Sequence, residues 1–261
     1  MKKQALQSLL QSYGRVAIGF SGGVDSTFLL WMALHVLGHE NVLAVIADTP
    51  TLPRREFAEA LRIAEQLGAQ VDVVKSRELD DPAYMANPSE RCYICKAHIF
   101  SLIKDEAVAK GFDVLLDGAN ADDAGDFRPG RRAACELGVK SPLEEAGVCK
   151  HEIRAWSAEA ELPTARKPAM ACLASRIPYG TRVTVETLAQ IECAEDRLHD
   201  LGFPHCRVRH HGEVARVEVP EGDIARLLEP RLRQQVAQAV MAAGYRFAAL
   251  DLLGYRMGNL N

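Results

Sequence analysis

The sequence has no apolar run approaching the ~20 residues that a membrane-spanning helix requires. Its first stretch, MKKQALQSLLQSYGRVAIGF, carries two lysines, but Gln, Ser and Arg interrupt the apolar residues before a strand-like run begins, so no secretory signal is expected. Positive charge is not in excess: 31 Lys and Arg stand against 35 Asp and Glu, a net charge of −4. That excludes a general basic coat for nucleic acid, while a local site for one small anion needs only a few placed donors. Internal repeats, low-complexity segments and the Gly-Lys-Ser/Thr ending of a Walker loop are also missing.

What is present fits a folded chain. A length of 261 residues suffices for one large domain or two small ones without disulfide or metal staples. Hydrophobic residues at 48%, charged residues at 25% and a mean hydropathy of −0.09 exclude extensive disorder. Seven cysteines are the unusual feature. In a chain expected in the reducing cytoplasm, an odd total points to packing, metal-binding or catalytic thiols rather than a disulfide framework.

Short aliphatic runs alternate with helical patterns in the first half. Strands are expected at 16–20, 42–47, 71–74 and 114–116, and helices at 25–37, 54–67, 96–110, 131–137 and 151–162. This alternation implies right-handed crossovers and a doubly wound α/β parallel sheet. Periodicity is lost in LPTARKPAMACLASRIPYGT, where three prolines and a glycine break regular structure. A first domain over 1–168, a junction loop over 169–183 and a smaller α+β domain over 184–261 are therefore expected. In the last, a helix at 185–201, strands at 206–210 and 214–219, a helix at 230–243 and a strand at 247–252 give the order αββαβ. From Thr181 onward there are ten arginines, no lysine and eleven carboxylates. That balance favours bidentate recognition of discrete phosphates or carboxylates over a diffuse RNA field.

The segment Ser21-Gly22-Gly23-Val24-Asp25-Ser26-Thr27 follows the first strand and opens a helix. Two glycines let successive backbone N–H groups face a phosphate, Ser21, Ser26 and Thr27 add hydroxyls, and the helix N-terminus adds a favourable dipole. The plainer alternative is a glycine-rich turn capped by Asp25. Asp48, ending the second strand, and Gly118-Ala119-Asn120-Ala121-Asp122-Asp123, after the fourth, sit where open α/β sheets place ligands. A solvated turn is the plainer reading of Asp122 and Asp123.

Cys92 and Cys95 form a C-x-x-C in NPSERCYICK, and Cys172 stands in ACLASRIPYG. With one further cysteine, the pair lacks the fourth ligand of a closed zinc site. Three thiolates with an open position suit an iron–sulfur cluster that binds an outside ligand. Alternatively Cys172 acts alone as a nucleophile, with Arg166, Lys167 and Arg176 favouring its thiolate. All three are expected on loops. Cys135, Cys149, Cys193 and Cys206 read as packing residues. Arg207 and Arg209 alternate about Val208 on a strand and so share a face, with surface ion pairing as the alternative to ligand binding. His210 and His211 face opposite sides and are not assigned a metal.

SGGVDST resembles the phosphate loop of the PP-loop ATP pyrophosphatases. That resemblance implies ATP cleavage between the α and β phosphates, with Mg²⁺ bridging them, and with Ser21, Gly22, Gly23, Asp25, Ser26, Thr27, Asp48, Gly118 and Asp122 around the nucleotide. Together with NPSERCYICK, DGANADD, DFRPGRRA, CLASRIPYG and the final GYRMGNLN, in matching order through the chain, it resembles the LarE family. The resemblance implies an ATP-dependent sulfurtransferase that adenylates a carboxylate of pyridinium-3,5-biscarboxylic acid mononucleotide and converts it to a thiocarboxylate, in making the nickel-pincer cofactor of lactate racemase. It implies Cys172 as the attacking cysteine, or Cys92, Cys95 and Cys172 as ligands of a 4Fe-4S cluster that delivers sulfide. Arg176, Arg207 and Arg209, with Glu195 and Glu218, would surround the substrate, and the family suggests a homo-oligomer. Competing readings are a tRNA sulfurtransferase, which would need a basic RNA-binding module, another PP-loop ligase, and a nucleotide-binding protein without turnover.

Overall fold

The computed structural model describes residues 1–125 and 129–256, at 124 and 125 by backbone alone. Of the motifs above, Asp126, Phe127 and Arg128 and the last five residues, Met257 to Asn261, lie outside the described residues. The chain divides into two compact units. One comprises Met1–Glu78 with Glu90–Met170; the other takes Leu79–Ser89 and the chain from Ala171 onward.

The first unit runs α1 (Lys2–Tyr13), β1 (Val16–Gly19), α2 (Val24–Leu37), β2 (Val42–Asp48), α3 (Arg54–Gln66) and β3 (Gln70–Lys75). In the second unit, the segment 79–89 contributes the single turn α4 (Pro82–Met85). The first unit then continues with α5 (Arg91–Ala109), β4 (Val114–Leu116), α6 (Pro129–Glu136), α7 (Pro142–Glu145) and α8 (Lys150–Glu159). The four strands form a parallel sheet in the order β3-β2-β1-β4. The doubly wound α/β class expected from the alternation is the fold observed.

Strand alternation divides the core into two layers. Val16 and Ile18 of β1 join Val42, Ala44 and Ile46 of β2 in one cluster, with Phe28 and Leu29 of α2 and Ile63 of α3. Ala17, Leu43 and Val45 point the other way, against Phe100, Ile103 and Ala107 of α5. Both faces are thus covered, which is why these strands read as near-continuous apolar runs. The helices α2 and α3 cover one face as the chain steps outward from β1 to β3; α5 covers the other as it returns to place β4 on the opposite side of β1. Strand order reverses between β1 and β4, and their carboxyl ends open the crevice where such sheets bind ligands.

Several elements depart from the sequence reading. The N-terminal stretch forms α1, whose Leu6 and Leu10, one turn apart, are fully buried; two buried positions in twelve residues give too narrow a stripe to read. Helix α5 begins at Arg91 rather than near residue 96, so Cys92 and Cys95 are helical and not on a loop. Its first turn buries the charged Arg91 and otherwise carries exposed or half-buried residues, so no apolar period announces it. Beyond β4, Lys140 bridges to Leu116 and donates its N–H to Leu115 O, extending the sheet edge by one residue pair.

The second unit contains α9 (Val185–Asp200), β5 (Arg207–His211), β6 (Val214–Glu218), α10 (Glu221–Leu227), α11 (Pro230–Ala242) and β7 (Phe247–Leu250). β6 pairs antiparallel with β5 and parallel with β7. Leu198, Phe203, Val208, Val217, Val236 and Val240 fill its core. The short α10 is additional to the expected αββαβ order.

Within this unit, Asn87 is fully buried and left-handed at φ 55°. Its amide donates to Pro178 O at 2.8 Å and Thr181 O at 2.9 Å, and its carbonyl accepts from Gly180 N at 3.0 Å. No aliphatic residue supplies these donors, and a Cβ-bearing one without a local polar group disfavours the left-handed region. Asn87→Ala is expected to destabilise this unit by about 2–3 kcal/mol, read as a lower urea midpoint at unchanged slope.

Candidate functional site

The phosphate loop is built by the abrupt passage from β1 into α2. Gly22 takes φ 67°, and a Cβ there would lie 2.8 Å from Ala60 Cβ and 2.9 Å from Ala60 Cα on α3, so the turn requires glycine twice over. Gly23 is the N-cap, in an extended conformation and with no side-chain cap; the plainer reading of Asp25 as the cap is not what the chain adopts. On the β4 side, a Cβ on Gly118 would meet Ser26 N at 3.0 Å, so two backbones approach closely at the crevice. Ser21 and Ser26 hydroxyls lie 3.1 Å apart, and Ser26 Oγ donates to Gly23 O at 3.3 Å.

Spare polar capacity concentrates here. Thr27 Oγ1 and Asp25 Oδ1 are buried without a hydrogen-bond partner among the described residues. The other oxygen of Asp25 is ion-paired to Lys150, at the start of α8. Burial raises the Asp25 pKa above the usual carboxylate range, against the lowering influence of Lys150. Helix N–H groups, a spare hydroxyl and an unmatched carboxylate oxygen fit a nucleotide phosphate with a hard cation.

Other expected nucleotide residues are engaged locally. Asp48 pairs with Arg54. Asp122 accepts the backbone N–H of Lys150 at 2.7 Å, and this bond holds its pKa below the ordinary value. Asn120 Oδ1 accepts from Asp122 N at 3.0 Å, and Asp123 accepts from Asn120 N at 3.1 Å. The DGANADD segment is therefore a self-bonded turn that also caps α8.

Two lysines carry roles that the motif alone did not reveal. Lys150 is the Asp25 partner. Lys167 Nζ contacts Glu56 at 2.7 Å, Glu59 at 2.8 Å and Gly22 O at 3.2 Å, tying the loop to α3. Both are distant from the loop in sequence; a lysine flanking a proline-rich segment offered the only signal for Lys167.

In the second unit, Cys172 is half-buried and precedes a 3₁₀ turn, Leu173–Arg176. Arg176 has no exposed surface. Its Nε and Nη2 each donate to Glu195 at 2.9 Å, while Nη1 donates to Ala171 O at 2.7 Å, Cys172 O at 3.0 Å and Ser175 Oγ at 3.0 Å. Glu195 also accepts Val208 N at 2.9 Å. Arg209 Nε donates to Glu218 at 2.9 Å and Nη1 to Ser175 O at 3.0 Å, and Arg216 reaches Glu218 at 3.1 Å. The Arg176–Glu195 and Arg209–Glu218 pairs are buried, not the surface ion pairs considered from sequence. Removing one partner of such a pair costs about 3–5 kcal/mol, because a buried charge is left uncompensated. Burial opposes the Arg176 charge, yet the Glu195 carboxylate holds its pKa above the ordinary arginine value. Arg207 donates to Cys206 O at 2.7 Å and stacks 5.1 Å from the Tyr255 ring centroid. Burial, then the nearby Arg176 cation, lowers its pKa.

All seven cysteines are outside disulfides. Cys92 and Cys95 lie one turn apart on α5, hence on one helix face, and Cys172 belongs to the other unit. The pair fits two thiolate ligands of a cluster, although no group of three or more metal-ligating side chains occurs among the described residues. Cys206 is fully buried and its thiol is driven far above the usual range by desolvation, which agrees with a packing role. No helix among the described residues is long and apolar enough to cross a membrane.

A parallel sheet with this loop at its strand-order reversal defines an ATP-dependent enzyme of the PP-loop class, which uses ATP with Mg²⁺, and the NAD synthase family profile matches residues 2–88. The pyridinium-3,5-bisthiocarboxylic acid mononucleotide synthase of Lactiplantibacillus plantarum is 39% identical, over 100% of this chain and 94% of its own. An uncharacterised protein of Synechocystis is 39% identical over 100% of this chain and 98% of its own, and the argininosuccinate synthase of Haloarcula marismortui 32% over 58% and 38%. The chain belongs to the LarE family of sulfur-inserting synthases.

Gly22→Ala tests the loop. A methyl group at φ 67° against Ala60 must displace the loop, and the expected result is a fall in ATP turnover of roughly 10-fold or more, measured as AMP release.

Proposed function

We propose that the chain uses ATP to adenylate a carboxylate of pyridinium-3,5-biscarboxylic acid mononucleotide and then exchanges its oxygen for sulfur, yielding a thiocarboxylate for a nickel-pincer cofactor. A carboxylate oxygen is a poor leaving group; its attack on the α-phosphorus releases pyrophosphate and forms a mixed anhydride whose leaving group is AMP. The observation that carries this reading is the loop 21–27, with Asp25 Oδ1 and Thr27 Oγ1 buried and unmatched, in a chain that aligns from end to end with a named synthase.

The residues divide the work as follows. Ser21, Gly22, Gly23, Ser26 and Thr27 hold the phosphates through N–H and hydroxyl donors. Asp25, with Asp48, Gly118 and Asp122 at neighbouring strand ends, serves the metal and the nucleoside. Mg²⁺ held there would neutralise charge developing on the phosphates. Arg207 and Arg209 recognise the substrate phosphate, supported by Glu195 and Glu218.

For the sulfur, a 4Fe-4S cluster held by Cys92, Cys95 and Cys172 would supply an iron with an open position for an added sulfide. The i, i+3 placement of Cys92 and Cys95 on one helix face supports this source. The half-buried Cys172 supports a second: its thiolate attacks the acyl-adenylate, expels AMP and forms a thioester. Loss of the cysteine α-proton to a base with cleavage of Cβ–Sγ then leaves the thiocarboxylate and dehydroalanine. The enzyme acts in the cytoplasm as a homo-oligomer, on a small molecule rather than RNA.

Incubation with ATP, Mg²⁺ and the biscarboxylate mononucleotide under anaerobic conditions is expected to give AMP and pyrophosphate; no AMP from cluster-replete protein would refute the reading. Tight tRNA binding at physiological salt would redirect it to RNA thiolation. Iron and sulfide analysis with intact mass then separates the sulfur sources. Iron-containing protein of unchanged mass after turnover is expected for the cluster, and a loss of about 34 Da at Cys172 for sacrifice of the nucleophile.

A further inference from the structure

The Arg176 guanidinium is the group in the second unit whose surroundings fit least well with a ligand-binding role. The residue has no exposed surface, and a substrate anion could reach it only after the loop above it moved. Of its five N–H donors, those on Nε and Nη1 and one on Nη2 are engaged by Glu195, Ala171, Cys172 and Ser175. At most one is left, whereas bidentate capture of a phosphate or carboxylate needs two.

What Arg176 does grip is main chain. Its Nη1 bonds the carbonyls on both sides of the Cys172 backbone N–H, those of Ala171 at 2.7 Å and of Cys172 itself at 3.0 Å. The Cys172 carbonyl also accepts Ser175 N at 2.9 Å, closing the 3₁₀ turn. Arg209 holds a carbonyl further along the same turn, Ser175 O, at 3.0 Å. The far side of the Arg176 guanidinium is fixed by two parallel bonds to Glu195, which α9 carries and which also accepts Val208 N from β5. The peptide planes flanking Cys172 are thus referenced to a helix and a strand through one rigid, planar cation. A planar fork with charge-assisted bonds holds a loop more sharply than a lysine could.

We infer that Arg176 is a positioning residue that fixes the Cys172 backbone, and through it the direction of the thiol, instead of a ligand of the substrate. This deepens the proposed function and rests on it only in assigning sulfur chemistry to Cys172; the role holds whether that thiol is nucleophile or cluster ligand. Adenylation does not depend on the direction of the thiol, so Arg176 separates the two halves of the reaction: pyrophosphate release and acyl-adenylate formation proceed without it, and sulfur delivery with release of AMP does not.

The test uses full-length Arg176→Lys and Glu195→Asp. Lysine keeps the buried charge opposite Glu195 but cannot bond both carbonyls and the carboxylate; aspartate keeps charge balance but withdraws the guanidinium from the loop. Arg176→Lys is expected to leave KM for ATP and for the mononucleotide within about 2-fold, and Glu195→Asp to leave KM for ATP within the same range. They are expected to slow single-turnover thiocarboxylate formation by roughly 10- to 100-fold, with Arg176→Lys the more severe. In the absence of any substrate, amide hydrogen exchange over 172–177 should be faster in both variants and unchanged in the loop 21–27. An increase in the mononucleotide KM of Arg176→Lys that accounts for its lost activity would overturn the inference in favour of a substrate ligand. Unaltered sulfur transfer, or failure of both charge-balanced variants to fold, would overturn it as well. Should wild-type protein form no AMP, the proposed function fails, while the exchange measurement still decides whether Arg176 holds the loop.

Discussion

Two backbones that nearly touch determine where this enzyme can bind its nucleotide. At the reversal of strand order between β1 and β4, Gly118 approaches Ser26 N so closely that a Cβ would stand 3.0 Å away, and on the other side Gly22 abuts Ala60. Side chains are excluded from the floor of the crevice, so what remains is what a polyphosphate recognises: N–H groups, hydroxyls and the positive end of α2. The surrounding charges follow from that geometry. Lys167 is held by Glu56 and Glu59 while it touches Gly22 O, and Asp25 is divided between Lys150 and an unmatched oxygen. A loop with no Walker lysine is instead braced from behind by cations delivered from distant segments.

The second unit solves a different problem, holding the short loop around Cys172 with buried charge. Glu195 and Glu218 each face an arginine whose remaining donors run to loop carbonyls. An apolar core could support the unit but could not bond those carbonyls. Buried ion pairs contribute little net stability compared with hydrophobic packing, and their usual value is to specify one arrangement. Here the arrangement specified is the backbone around Cys172.

Much of this was legible before any coordinates. Aliphatic runs at 16–19, 42–48 and 114–116 gave strands because both sheet faces are covered, and SGGVDST declared its loop through two adjacent glycines at a strand-to-helix passage. The helical setting of Cys92 and Cys95 was not legible, because the first turn of α5 buries a charged residue, Arg91, and leaves Cys92, Tyr93 and Ile94 exposed or half-buried. Nor was the engagement of Asp122, whose carboxylate caps a helix that begins 28 positions later. Arginines 176 and 209 were recognisable as cationic forks, but their burial was not, since sequence shows a charge without its partner.

The sequence by itself determined the class of sheet and the phosphate loop, because each depends on local periodicity or on residue types that only one backbone conformation tolerates. Tertiary structure alone decided which charges face one another. Lys150 with Asp25, Lys167 with Gly22, and Arg176 with Glu195 and the Cys172 carbonyl join residues separated by 125, 145, and 19 or 4 positions. Such pairings arise from long-range packing of helices on a sheet and of a loop on a small α+β core, and no local preference encodes them.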